Sequence, residues 1–344
     1  MILINVVVLI ASLALLIKSS DYFVKAASSF ARRLGVSELI IGLTFVAVGT
    51  SLPEFASSIV ASFLGQDEII IGNVVGSNIA NIGLILGISA IIAVISTRKT
   101  NVKMDGYLMV FAAILLAAFA FDRVISRIEA VVFLIFYSGY VIYLFEKSQD
   151  LKQEYHFKEY LWYILKFKSF NGARNILFQF WDDYNGSTKT KKLKPLLRDF
   201  GILILTGIGV AVGAHFTIAK AVLFAELLQI NKEIVGIIFI AVGTSLPELS
   251  VSIAAVRLGR GQIAIGNIVG SNIANILLIL GTAALIRPVA FGVEVLYFVV
   301  PVLTFISLVL LLLMRFYKKI TRMQGLILVA FYLLFLLILT QFIY

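Results

Sequence analysis

Glu54 and Glu248 each close the same eight residues, AVGTSLPE, written at 47 to 54 and again at 241 to 248. They stand deep in long apolar segments, where an unpaired charge costs about 3 kcal/mol on insertion scales. Pro53 and Pro247 lack an amide hydrogen and crowd the carbonyls four residues back, at Gly49 and Gly243, so each helix is predicted to kink or unwind just before its glutamate. A carbonyl freed at that depth is tolerated where it is buried in protein or lines a wet cavity. There it is a ready ligand for a hard cation. The hydroxyls of Thr50, Ser51, Thr244 and Ser245 add neutral oxygens beside the two carboxylates. A bound cation is the natural compensation for the pair.

A second repeated stretch supplies more oxygen. In GNVVGSNIAN and GNIVGSNIAN, Asn73, Ser77 and Asn81, like Asn267, Ser271 and Asn275, recur every four residues and so share one helical face. The chain has no Cys and two His, neither near these motifs, so the donor set is all oxygen. Such a set suits Ca²⁺ or Na⁺ better than zinc or copper. The GxxxG spacings at Gly72 and Gly76, and at Gly266 and Gly270, are read as helix packing.

These motifs sit in an all-α polytopic membrane protein. Of 344 residues, 60% are apolar and 14% charged, against about a quarter charged in soluble domains. Ten membrane helices are predicted near 2–17, 38–63, 70–95, 107–122, 129–145, 200–219, 234–256, 262–285, 292–314 and 324–342. By those boundaries Glu54 and Glu248 are the only acids deep within a span. The halves are 1–145 and 200–344, joined by a loop over 146–199. The first segment has no basic start and no cleavage site, so it reads as a helix rather than a signal peptide. With both termini outside, 24 of the 29 Lys and Arg fall on the cytoplasmic side. The net charge of +10 is thereby a topological signal, not a nucleic-acid surface.

Residues 47–87 align without a gap on 241–281, with 29 identities in 41 positions. The link inside the first copy, LGQDEI, is acidic; that of the second, RLGRGQ, carries Arg257 and Arg260. The positive-inside rule puts the links on opposite sides and the copies upside down to each other. Two inverted five-helix repeats are the plan of a secondary transporter with its site at the repeat interface.

At these residues the chain resembles the sodium/calcium exchanger family, whose two repeats carry the same GTSLPE and GSN signatures. The resemblance implies Ca²⁺ held by the carboxylates of Glu54 and Glu248 and the carbonyls of Thr50 and Thr244. It implies Na⁺ sites around it from the Ala47 and Ala241 carbonyls, Ser51, Ser245, Ser77 and Ser271, with Asn81 and Asn275 facing the centre. Many prokaryotic relatives and the potassium-dependent branch have Asp where this chain has Asn275, which argues against K⁺ co-transport. Two carboxylates balance one Ca²⁺ and leave three Na⁺ at net +1, so exchange at the family stoichiometry is electrogenic and is driven by about 2.3 kcal/mol per charge per 100 mV.

A proton/calcium exchanger is the alternative within transport, disfavoured because that branch shows a GN-type motif before the acid. A passive channel fits less well, since channels more often build filters from rings of subunits. An enzyme is not expected: the twin carboxylates have no nucleophile, metal triad or cofactor loop beside them, and the ions are substrates, not cofactors. In the central loop, Phe157, Tyr160, Leu161, Ile164 and Phe167 form one stripe with lysines nearby, expected as an interfacial connector on anionic inner-leaflet lipid. The short connections point to a prokaryotic cell membrane.

Overall fold

The computed structural model describes residues 2–97, 101–148, 156–166, 190–227, 244–317 and 319–343. Helices dominate, because a backbone in hydrocarbon must satisfy its own hydrogen bonds. They are α1 (Ile2–Leu34), α2 (Glu38–Thr50), α3 (Leu52–Leu64), α4 (Asp67–Ile92), α5 (Asn101–Phe119), α6 (Arg127–Ser148), α7 (Phe157–Leu165), α8 (Thr190–Leu227), α9 (Leu246–Arg257), α10 (Gly261–Ile286), α11 (Val300–Phe316) and α12 (Arg322–Ile343). Among the described residues eight helices are long and apolar enough to cross a membrane, or nine if α2 and α3 are one bent span. The helix expected over 234–256 lies outside the described residues up to 243, and α9 covers its remainder.

The helices are not uniform. Five-residue or six-residue π-helical turns stand at Gly42–Val46, Gly72–Gly76, Asn81–Leu86, Asn275–Leu280 and Val295–Val299. Wide turns of this kind cluster at functional sites because they re-aim carbonyls and side chains. Of these five, three hold residues of the repeated motifs, Gly42–Val46 immediately precedes Ala47, and Val295–Val299 leads into α11.

Two short antiparallel pairings tie the halves together. Strand β1 (Ile95–Ser96) pairs with β4 (Lys319–Ile320), and β2 (Val124–Ile125) with β3 (Val289–Ala290). Each joins two loops expected on one side of the membrane. α4 and α10, equivalent in sequence, run antiparallel. The start of α4 meets the segment after α10, where the Ala290 amide donates to Asp67 at 3.2 Å. The start of α10 meets the segment after α4, with Gly261 against Ile95. They cross at Asn78 and Asn272, where the Asn78 amide donates to the Asn272 carbonyl at 3.2 Å.

α1 and α8 form a long antiparallel pair on the flank. Both exceed the expected spans of 2–17 and 200–219. Lys18, Asp21 and Lys25 do not end α1, since the face opposite them packs along α8, with Leu16 against Gly213 and Phe23 against Gly207. α7 also departs from expectation. Its stripe faces the protein rather than lipid: Phe157 meets Tyr107 and Phe111, Ile164 lies against Gly139, and the Tyr160 hydroxyl donates to the Phe136 carbonyl at 2.7 Å. Burial holds the Tyr160 phenol above its ordinary range. Phe167 lies outside the described residues.

Candidate ion-binding site

The chain bends by 49° between α2 and α3, at Ser51. Pro53 sits in the first turn of α3, where its missing amide hydrogen costs nothing, so the break falls where Pro ends one helix and starts the next. Glu54 follows in that first turn. The second copy repeats this locally: Ser245 precedes α9, and Pro247 and Glu248 occupy its first turn. Both glutamates thus stand at helix N-termini, whose partial positive charge favours an anion.

Both are also buried, each 1% exposed. Among the described residues neither has an ion-pair partner. The Ser51 hydroxyl donates to Glu248 Oε1 at 2.7 Å and lies 3.0 Å from the Ser271 hydroxyl. Ser271 is in turn 3.4 Å from the Ala47 carbonyl, which also accepts from the Thr50 hydroxyl at 3.2 Å. Thr50 further donates to Asn267 Oδ1 at 3.0 Å, and the Ser77 and Thr244 hydroxyls are 3.4 Å apart. Hence residues of AVGTSLPE from each copy interleave with the GSN helix of the other.

Asn73 and Asn267 have a different part. Asn73 Nδ2 donates to the Glu54 carbonyl and to Ser58, both at 2.8 Å; Asn267 Nδ2 donates to the Glu248 carbonyl at 3.5 Å and to Ser252 at 3.1 Å. These bonds fasten α3 to α4 and α9 to α10. Asn78 and Asn272, although printed in the repeated GSN, lie off the four-residue stripe and were not singled out by it. They are the crossing point: Asn275 donates to Asn78 at 2.9 Å and Asn81 to Asn272 at 3.2 Å. Their repetition was the signal that could have found them.

What remains is a set of buried oxygens without a donor. Both carboxylate oxygens of Glu54, Oε2 of Glu248, the amide oxygens of Asn73, Asn81 and Asn275, and the Ser245 hydroxyl have no hydrogen-bond partner among the described residues. Unpaired buried acceptors are costly, and a hard cation is the species that satisfies several together. Among the described residues no group of three or more His, Cys, Asp or Glu gathers to hold a metal, so carbonyl, amide and hydroxyl oxygens must complete any coordination. Ala241 lies outside the described residues. One helix start needs correction: α5 begins at Asn101, not near 107, and so holds Asp105 at the end of a span, 1% exposed, where Tyr140 donates to it at 3.0 Å.

The profile of the sodium/calcium exchanger protein family matches residues 4–146 and 199–341, all but the central loop and the extreme ends. The chain belongs to the sodium/calcium exchanger family. Among relatives of this family, sodium/calcium exchanger MaX1 of Methanosarcina acetivorans is 44% identical over 347 residues, covering 98% of this chain and 99% of that one. Inner membrane protein YrbG of Escherichia coli is 34% identical over 286 residues, covering 81% and 79%. A solved structure of the sodium-calcium exchanger NCX_Mj, soaked with 10 mM Na⁺ and zero Ca²⁺, superposes with a TM-score of 0.78 at 32% identity over 97% of this chain and 98% of that one. Membership makes this a multi-pass membrane antiporter rather than an enzyme, of a family whose cargo is Na⁺ and Ca²⁺.

Proposed function

We propose that this exchanger trades Na⁺ for Ca²⁺ by alternating access between two inverted five-helix halves, electrogenically and without K⁺. The observation that carries the reading is the buried pair Glu54 and Glu248, with three of four carboxylate oxygens unpaired and no cationic side chain against them among the described residues. Ca²⁺ takes six to eight oxygens and recruits both carboxylates. Thr50, Thr244, Asn81 and Asn275 complete its shell. Na⁺ is held by Ser51, Ser245, Ser77 and Ser271 with the Ala47 and Ala241 carbonyls. Ser51 contacts both Glu248 and Ser271, so the two kinds of site share ligands, and filling one disturbs the other. That mutual exclusion couples the fluxes. Electrogenicity follows from two carboxylates facing one Ca²⁺ or three Na⁺, and amide rather than acid at Asn275 removes the charge a K⁺ would need.

The test is calcium-45 uptake into proteoliposomes of the wild type and of Glu54→Gln with Glu248→Gln. An outward Na⁺ gradient drives uptake, K⁺ loading does not, valinomycin-set potentials change its rate, and the double variant is silent. Uptake driven by a pH gradient instead would select proton exchange; uptake that needs no counter-gradient would mean a channel.

A further inference from the structure

α1 has 33 residues, whereas about twenty cross a hydrocarbon core, and its outward face changes character part-way. Ile4, Val7, Ala11 and Leu15 are exposed in the first half; the same face exposes Lys18, Tyr22, Lys25 and Arg32 in the second. Spacings of three, four and seven put all of them on one stripe. The Lys25 ammonium stands 5.3 Å from the centre of the Tyr22 ring. Arg33, beside the stripe, is committed to Asp199 at 2.6 Å, and Arg32 donates to Ser28 at 2.9 Å. Asp21, half-buried at the edge of the stripe, is the acid nearest to it in sequence. Lys18 and Lys25 have no carboxylate within ion-pair distance among the described residues.

The neighbouring surface of α8 is apolar at the same height. Gly209 lies against Ser19, Gly207 against Phe23, and Asp199 accepts from Ser29, so residues 199–209 run alongside the second half of α1. There α8 exposes Ile204, Leu205 and Ile208, at 50%, 70% and 56%. A basic stripe on α1 and an apolar stripe on α8 thus start at the same height, and the apolar one continues past it through Val212 and Phe216, level with the apolar half of α1. We propose that this paired surface binds one anionic phospholipid, its phosphate between Lys18 and Lys25 over the Tyr22 ring and its acyl chains running from Ile208 along α8 past Val212 and Phe216. Charge complementarity selects this occupant: two ammonium groups beside apolar surface need a net negative partner, which a zwitterionic lipid lacks. A second copy packed on the same face across a two-fold axis would bring lysines against lysines.

The experiment is native mass spectrometry of the full chain released from vesicles of equal phosphatidylglycerol and phosphatidylcholine. Wild type retains phosphatidylglycerol preferentially. Lys18→Gln with Lys25→Gln lowers that preference roughly thirtyfold and Lys25→Gln alone about fivefold, the amount one basic side chain contributes at an anionic surface. Lys18→Arg with Lys25→Arg keeps it. Lys319→Gln with Arg322→Gln, basic residues on another helix and its approach, also keeps it. No preference in the wild type, an unchanged preference in the double Gln variant, an equal loss in the Lys319 and Arg322 variant, or a dimer that the Gln pair dissolves would each overturn the assignment.

Discussion

The Ser51 hydroxyl donates to Glu248 Oε1 at 2.7 Å across 197 positions of sequence. Ser51 is where the first bent helix breaks, and Glu248 opens the corresponding helix of the second copy. The bond therefore fastens the break in one half to the carboxylate of the other. Ser51→Ala deletes a donor to a buried carboxylate, and hydrogen bonds to charged groups contribute about 1.5–3 kcal/mol. The expected outcome is a Ca²⁺ affinity altered by at least about tenfold with the fold retained, because the hydroxyl is replaced by hydrogen and no bulk is added. Concentration dependence of calcium-45 uptake measures it; an unchanged half-saturation would reduce Ser51 to a spacer.

Pro53→Ala tests the break itself. Alanine supplies an amide hydrogen where α2 and α3 meet and lifts the clash with the Gly49 carbonyl. The 49° bend would lose its local cause. Thermal stability is expected to hold or rise, while exchange falls at least about tenfold, since a site misplaced by about 1 Å loses that much and more. A variant as active as the wild type would show that packing, not proline, sets the bend.

The candidate site is legible where the sequence repeats itself, and the fold where hydropathy is strong. AVGTSLPE predicts a helix broken before a carboxylate because proline acts on its own turn, and the bend is found there. What hydropathy misplaced are the helix ends. Lys18 and Asp21 interrupt an apolar window but lie on or beside an exposed face, so α1 continues to Leu34 on the strength of its opposite, buried face. Lys103 and Asp105 likewise shift the expected start of α5 to 107, whereas the helix begins at Asn101. The π-helical turns were not legible, because widening one turn leaves the residue types unchanged. The stripe on α7, expected on lipid, packs on protein instead, because periodicity marks an apolar face and carries no information on what covers it.

Gly270→Ala probes the closest helix contact. A Cβ there would stand 2.5 Å from the Leu43 carbonyl oxygen and 2.7 Å from its Cα. Both are backbone atoms of α2 and cannot swing away, so α2 and α10 must separate. The expected cost is about 1–3 kcal/mol, seen as a lower unfolding temperature in detergent. Gly266→Ala, whose Cβ would lie 2.7 Å from the Leu39 carbonyl, should do the same. Gly201→Ala on α8 meets nothing within 4 Å and serves as the control.

Asp199 joins α8 to α1. It is 3% exposed and accepts from Ser29 at 2.5 Å and Arg33 at 2.6 Å. Removing one partner of a buried pair strands the other, at about 3–5 kcal/mol when both are buried. Arg33 is 38% exposed on its side chain, and solvent screens its share. Arg33→Gln is therefore expected to cost about 1–2 kcal/mol. Asp199→Asn, which removes the charge but keeps an acceptor, should cost less than Asp199→Ala. Unfolding temperatures of the three variants in one detergent check the order, and equal values would mean that the ion pair contributes little to the α1 and α8 contact.

Tyr160 gives the docking of α7 a pH limit. Burial raises its phenol pKa, and its hydroxyl donates to the Phe136 carbonyl. A phenol whose folded pKa lies above its unfolded value contributes stability that is fully present below the unfolded value, about 10, and is lost as pH rises through the folded one. Docking should thus be flat across neutral pH and weaken only above about pH 10. Trp162, 53% exposed on the same helix, reports it by fluorescence. Tyr160→Phe removes the titrating group together with one hydrogen bond, so its docking is about 1 kcal/mol weaker at neutral pH. Its alkaline transition should also be smaller. If wild type and Tyr160→Phe lose the docked signal at the same pH and with the same amplitude, another group sets the limit; Tyr163, which donates to Glu146 at 2.5 Å, is the next to replace.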